Sequence, residues 1–248
     1  MVMRKLITAL TFPVVLPLSF MVCSPFAIVA SLITGSGTPS HKVARVWASI
    51  VLFAAGIRVK TRIKQDPSGH TPVIFACNHS SLMDIPILYK ALPVEFRFIV
   101  KKELFKIPLL GLAMKTAGYI PIDRAKGRAA LKSMKEAARR IREGASIVIF
   151  PEGTRTLDGR LQGFKEGGFM LAVNSGCPVV PVAIRGSFNI LKKGSMIASP
   201  GEVEVIIGTP IEVVYGDKRR DRKEITRLAH EQVRQMLQEA QGGLNGTQ

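Results

Sequence analysis

The chain has 248 residues, a formal net charge of +17 and 47% hydrophobic residues, with a sequence pI near 10.3 and a positive mean hydropathy. That length suits one sizeable α/β domain with an appendage. A chain at once basic and apolar is not composed like a simple soluble enzyme, and its excess charge calls for an acidic partner: nucleic acid, an anionic membrane surface or an anionic substrate. Cys23, Cys77 and Cys177 lie far apart with no C-x-x-C spacing. This argues against a disulfide framework or a structural zinc site and places the folded domain in a reducing compartment, the cytoplasm.

At the N-terminus, Arg4 and Lys5 precede an uncharged run from Leu6 to Ser40. Its apolar part, residues 6–33, exceeds the ~20 residues a bilayer crossing needs. Pro13, Pro17 and Pro25 each remove a backbone donor and favour a bend. A signal peptide would have this charged start, but no Ala-x-Ala site closes the run. The reading is therefore an apolar helical membrane anchor over residues 1–57. It is either one bent span or two helices dipping into one leaflet around the turn at residues 34–39, since the second apolar stretch, 46–57, is too short to span alone.

From residue 58 the texture changes to short β-rich runs alternating with helical ones. Strands are expected at 58–63, 73–77, 95–100, 119–122, 146–150, 179–184 and 203–207, and helices at 82–90, 109–116, 128–143, 167–174 and 222–240. Alternation of this kind predicts an α/β domain over 58–241, a mixed, largely parallel sheet flanked by helices. Continuously apolar strands such as Val73-Ile74-Phe75-Ala76 suit a sheet covered on both faces. The tail at 242–248 is expected to be disordered.

The first chemical stretch is Asn78-His79-Ser80-Ser81-Leu82-Met83-Asp84. Positions five apart on a regular helix are separated by about 500° of rotation and face away from each other, so His79 and Asp84 meet only if His79 lies before the helix. A strand at 73–77 and an N-cap at Ser80 or Ser81 would arrange that. Asp84 then falls in the first turn, where the helix dipole favours a carboxylate and where it can fix the tautomer of His79. Ser81-x-x-Asp84 also matches a capping pattern in which the acid serves only the helix start. The second stretch, Gly118 to Arg124, delivers a guanidinium at a strand end that can clamp a phosphate or pair with a neighbouring acid. The third, Phe150-Pro151-Glu152-Gly153-Thr154-Arg155, exposes a carboxylate and an arginine where α/β folds place their ligands. Phe164-Lys165-Glu166-Gly167 adds a lysine ahead of a helix start, a suitable anion site. Basic clusters at 101–115, 124–142 and 218–223 are either solvated faces or contacts for lipid headgroups or an acidic carrier.

Taken in order, His79-x4-Asp84, Gly118 to Arg124, Phe150 to Arg155 and Val180-Pro181-Val182 resemble the four motifs of the glycerolipid acyltransferase family. The chain is most similar to the bacterial 1-acyl-glycerol-3-phosphate acyltransferases, which Lys101-Lys102-Glu103-Leu104 and Phe164-Lys165-x-Gly167 also resemble. The likeness covers residues 73–184. One departure is the aliphatic Ile120-Pro121-Ile122 where the second motif often has aromatic character. The resemblance implies transfer of a fatty acyl group from a coenzyme A or acyl-carrier-protein thioester to the sn-2 hydroxyl of lysophosphatidic acid, giving phosphatidic acid in phospholipid synthesis at the cytoplasmic face of the inner membrane. His79 would be the general base and Asp84 its orienting partner. Arg155 and Arg124, with Lys102 or Lys165, would neutralise the substrate phosphate. Glu152, on the loop with Gly153 and Thr154, would hold the glycerol hydroxyl or position Arg155. Backbone amides near the His79 turn could hold the oxyanion. No metal or cofactor is required, and with no Gly-x-Ser-x-Gly elbow no acyl-enzyme is expected. Rival readings are an acyltransferase for glycerol-3-phosphate or another lysolipid and, more remotely, a non-catalytic basic membrane-binding protein. No nucleic-acid-reading motif is present.

Overall fold

A computed structural model of the chain describes residues 2–122, 128–195, 197–215 and 218–242. Helix α1 (Val2–Thr34) runs through Pro13, Pro17 and Pro25 as one element, and α2 (Thr38–Ala54) folds back along it. Two helices thus flank the turn expected at residues 34–39, an arrangement compatible with both sequence expectations for this region. The turn is pinned by buried serines: the Ser31 and Ser40 hydroxyls lie 2.7 Å apart, and Ser40 Oγ donates to the Ala27 carbonyl at 3.1 Å. Leu10, Val14, Leu18, Met21, Val22, Phe26, Val29, Leu32 and Ile33 recur at helical spacing along α1 and stay exposed. By length and composition, Thr8–Thr34 could cross a membrane.

The hairpin is not a separate body. Ala48, Val51, Leu52 and Ala55 share one core with strand residues Phe75, Val180, Val182 and Val205. A side chain at Gly37, in the hairpin turn, would come within 2.8 Å of the Ala117 carbonyl and 2.9 Å of the Arg97 guanidinium. The turn therefore rests directly on the α/β domain.

That domain is built on strands β1 (Ile57–Ile63), β2 (Ile74–Cys77), β3 (Arg97–Lys101), β4 (Ile120–Ile122), β5 (Ile147–Ile149), β6 (Val179–Arg185) and β7 (Gly201–Ile207), in the order β1-β7-β6-β2-β5-β3-β4. Every neighbouring pair is parallel except β6 with β7. The apolar strands β2 and β5 are buried along their whole length, as a sheet covered on both faces requires. Helices α2 and α3 (Asp84–Ala91) cover one face. On the other lie α5 (Arg128–Arg142), α6 (Glu166–Ser175) and α8 (Arg222–Gly242), whose Ala137, Ile141, Phe169, Leu171, Ile225 and Ala229 form the second core with Ile74, Ala76, Ile147 and Ile149. Helix α4 (Leu110–Thr116) packs against α1.

Most expected elements lie within a few residues of their predicted limits, and the mixed, largely parallel sheet is found. Two departures stand out. The four-residue helix α7 (Ser187–Ile190) and the hairpin of β8 (Val214–Tyr215) and β9 (Lys218–Arg219) were not anticipated, because elements this short carry no periodicity. Helix α8 continues to Gly242, into the segment expected to be a disordered tail, and residues 243–248 lie outside the described set.

Candidate active site

Strand β2 ends at Cys77, and the ladder is extended by a side chain. The Asn78 carboxamide donates to the Ile184 carbonyl at 2.9 Å and accepts from the Ile184 N–H at 2.7 Å, standing in for one more residue of backbone pairing with β6. This fixes the direction in which His79 leaves the sheet. Residues 80–83 then form a turn, and α3 begins at Asp84. The residue at the N-cap is Met83, in helical conformation with no side-chain cap, and not Ser80 or Ser81. Ser81 still serves the turn that leads into the helix: its hydroxyl accepts from Met83 N–H at 3.1 Å and donates to the Leu191 carbonyl at 2.8 Å.

His79 therefore precedes the helix, as its chemistry demands. His79 Nδ1 lies 2.8 Å from Asp84 Oδ2, with the imidazole 16% exposed and the carboxylate fully buried. The same oxygen accepts from the N–H groups of Ser80 and Ser81 at 2.8 and 2.9 Å. An oxygen already facing two N–H donors acts as an acceptor, so the network assigns the ring proton to Nδ1 and leaves the lone pair on Nε2. The capping and orienting readings of Asp84 are thus both true. The imidazole is also stacked on the Phe150 ring, with centroids 3.9 Å apart and 17° between planes, and Phe150 in turn lies parallel to Phe98.

The second strand end comes from β5, hydrogen-bonded beside β2. After Ile149 the chain makes a tight turn closed by Gly153 N–H to Phe150 O at 3.0 Å. Gly153 sits at φ +80°, in the left-handed region that favours glycine. Hydrogen bonds tie this loop to its surroundings. Thr156 N–H donates to the His79 carbonyl at 3.0 Å, which sets Arg155 next to the His79 turn, and Lys165 N–H donates to the Pro151 carbonyl at 2.9 Å. Lys193 donates to Thr154 Oγ1 at 3.1 Å. Lys165, immediately before α6, brings its ammonium over the loop, where a side chain on Gly153 would meet it at 2.9 Å.

Glu152 has a structural role that the sequence did not suggest. It is 3% exposed, and both oxygens are engaged by backbone: Oε1 accepts from His79 N–H at 2.6 Å and Oε2 from Gln162 N–H at 3.0 Å. It straps the β5 loop to the His79 turn. The amides of His79, Ser80 and Ser81 are all committed to carboxylates, so an oxyanion would draw on other donors.

Burial pushes the Glu152 carboxyl up to about 7, with the Asp84 charge adding to the rise and the two amide donors opposing it. The folded protein then holds a proton that the unfolded chain releases near 4.5, so the contribution of Glu152 to stability falls as pH rises from 4.5 to about 7. Glu152→Gln should remove this dependence. In urea titrations, wild type should lose stability relative to the variant across that window, whereas a constant gap would contradict the assignment.

A family model described as Acyltransferase matches residues 57–185, which holds His79, Asp84 and the whole β5 loop. The chain belongs to this acyltransferase family. It is 38% identical over 72% of its length to the 1-acyl-sn-glycerol-3-phosphate acyltransferase BAT2 of Brassica napus, and 38% identical over 69% to LPAT1 of Arabidopsis thaliana, both chloroplastic. The matches cover 51% and 48% of those proteins, so the chain spans about half the length of these curated relatives. The 1-acyl-sn-glycerol-3-phosphate acyltransferase alpha of Mus musculus is 30% identical over 75% of the chain and 66% of the relative. The crystal structure of the 1-acyl-sn-glycerophosphate (LPA) acyltransferase PlsC from Thermotoga maritima superposes with a TM-score of 0.78 over 96% of this chain and 97% of that one, and at 24% identity this establishes the shared fold.

Within this family member the structure gathers most of the expected residues. His79, Asp84, Glu152, Gly153, Thr154, Arg155 and Lys165 meet at the C-terminal ends of β2 and β5. Lys102 is exposed in the 3-10 turn Lys102–Lys106 after β3, two strands away from β2. Arg124 lies outside the described residues. Sequence reasoning missed Phe150 as the platform under His79, Lys193 as a further cation on the loop, and Asn78 as the clamp that aims the turn. Asn78 and Phe150 stand inside stretches singled out for other members, and nothing in the sequence marks Lys193.

Proposed function

We propose that this acyltransferase moves a fatty acyl group from an acyl thioester to the sn-2 hydroxyl of 1-acyl-sn-glycerol-3-phosphate, giving phosphatidic acid. The observation that carries the reading is the His79–Asp84 pair, with Nδ1 held by a buried carboxylate and Nε2 left as the base. The names of the plant and mouse relatives supply the substrate class. In the reaction, Nε2 takes the acceptor hydroxyl proton as the oxygen attacks the thioester carbonyl. The tetrahedral intermediate collapses, the carbon–sulfur bond breaks, and the thiolate recovers the proton from His79. Asp84 stabilises the transient imidazolium. Every proton is carried by a side chain, so the scheme is written without a metal or an acyl-enzyme.

Arg155 and Lys165, both beside the His79 turn, are assigned the acceptor phosphate, and by family resemblance Arg124 is assigned to the same group. A guanidinium meets phosphate bidentately, which suits a clamp. The exposed apolar stripe of α1 is assigned to the lipid from which a one-chain acceptor arrives, on the cytoplasmic side of the membrane. Coenzyme A and acyl-carrier-protein thioesters are both compatible donors.

Arg155→Ala tests the assignment. Losing a charge-assisted pair of about 1.5–3 kcal/mol should raise the KM for phosphorylated acceptor on the order of tenfold to a hundredfold, with turnover of an unphosphorylated 1-acylglycerol little changed. Equal loss with both acceptors would remove Arg155 from the phosphate site.

A further inference from the structure

We propose that the segment from the end of β3 through α4 is a second lipid-contacting element, which lays the catalytic domain itself against the bilayer alongside α1. The proposal rests on α1 being membrane-facing. It extends that reading to a part of the domain that carries no long apolar helix.

Leu104, Ile107 and Leu112 are all exposed in this short stretch, and so are Lys101, Lys106 and Lys115 among them. Exposed apolar side chains interspersed with lysines within one short segment are suited to the boundary between acyl chains and anionic headgroups, where the first enter the lipid and the second meet phosphate. Among the described residues Lys106 and Lys115 form no ion pair. Lys101 pairs at 3.7 Å with Glu103 of its own segment.

The backbone holds the apolar residues outward. Leu109 adopts φ +58°, a conformation side chains other than glycine rarely take. Leu110 N–H donates to the Pro108 carbonyl at 2.6 Å and Gly111 N–H to the Ile107 carbonyl at 2.7 Å. At Gly111 a Cβ would lie 2.1 Å from the Phe105 carbonyl oxygen, so the fold-back tolerates no side chain there. The resulting sharp corner displays Ile107 and Pro108 at its tip instead of letting them fold under.

The placement is continuous with the anchor. Helix α4 packs on α1, and its C-cap, Ala117, touches Gly37 in the turn between α1 and α2. It is also continuous with the chemistry, since Phe98 of β3 lies parallel to Phe150, the ring beneath His79. A domain seated on this segment would hold the site near headgroup level, where an acceptor can present its glycerol hydroxyl while its acyl chain stays in the leaflet.

The test places one tryptophan at a time in the full-length protein. Trp47 is the only tryptophan, and its indole N–H has no hydrogen-bond partner among the described residues, so Trp47→Phe gives a silent background. In that background Phe53→Trp reports on the exposed face of α2 in the anchor, and Leu112→Trp and Ile107→Trp report on the proposed element. The vesicles are phosphatidylcholine with phosphatidylglycerol, with or without bromine near the carbonyl end of the acyl chain. All three reporters should be quenched about twofold by bromine, as expected for side chains lying ~5–10 Å into the headgroup boundary. Quenching at Phe53→Trp alone would overturn the proposal and leave the anchor standing. Quenching at none of them would overturn both.

A second arm replaces Leu104, Ile107 and Leu112 together by serine. Turnover of long-chain acceptor in vesicles should fall on the order of tenfold while turnover of a short-chain, water-soluble acceptor is kept. Unchanged turnover in vesicles, equal loss on both acceptors, or a loss confined to donor borne on an acidic carrier protein would each contradict a lipid contact.

Discussion

Replacing His79 by alanine is expected to lower acyl transfer about a thousandfold, within the range a positioned general base contributes, while leaving the fold and vesicle binding in place. The imidazole is partly exposed and lies on the Phe150 ring, so truncation opens the site to water without emptying the core. Asp84 keeps two of its three donors, the N–H groups of Ser80 and Ser81. The lost hydrogen bond should cost stability no more than about 1–3 kcal/mol. Turnover measured with both substrates saturating, beside a thermal or urea unfolding curve, separates the two effects. Turnover near wild type would remove the mechanism, and an unfolded variant would show that His79 holds the turn together.

Asp84→Asn should be nearly as severe, on the order of a several-hundredfold to thousandfold loss, because the acid that orients the catalytic histidine is neutralised. If the asparagine oxygen keeps the Ser80 and Ser81 amides, the imidazolium formed during proton transfer loses its counter-charge. If the carboxamide turns its NH2 toward Nδ1, that nitrogen becomes the acceptor, Nε2 carries the proton and the base is gone. Either arrangement impairs kcat more than substrate binding, so the check is a kcat loss at nearly constant KM for the acceptor. A variant retaining a tenth of wild-type turnover would show that Asp84 acts only as a helix cap.

The His79–Asp84 geometry was legible in the sequence because it is local. Five residues, a strand before them and the rotation of a helix after them are enough to require that the histidine precede the helix. The strands were legible because runs such as residues 74–77 and 147–149 are uniformly apolar. Glu152 was found as a site residue without its strap to the His79 turn, and Phe150 stood in a motif without a role of its own. Their partners are chosen by the adjacency of β2 and β5, strands 73 residues apart at the Glu152–His79 contact, and no local pattern encodes that adjacency. The same holds for Lys193, which reaches Thr154 from a connection after β6. In the N-terminal region the prolines suggested a bend, yet α1 remains one helix against α2. The seating of its turn on Ala117 and Arg97 depends on Gly37 having no side chain, a reason visible only in three dimensions.

The most direct measurement is a competition assay with purified protein in vesicles, in which labelled 1-acylglycerol-3-phosphate and glycerol-3-phosphate are offered together with an acyl thioester. The account predicts that the label accumulates in phosphatidic acid and that the His79→Ala protein forms none above background. Preferential acylation of glycerol-3-phosphate, or phosphatidic acid formed equally well without the imidazole, would contradict it.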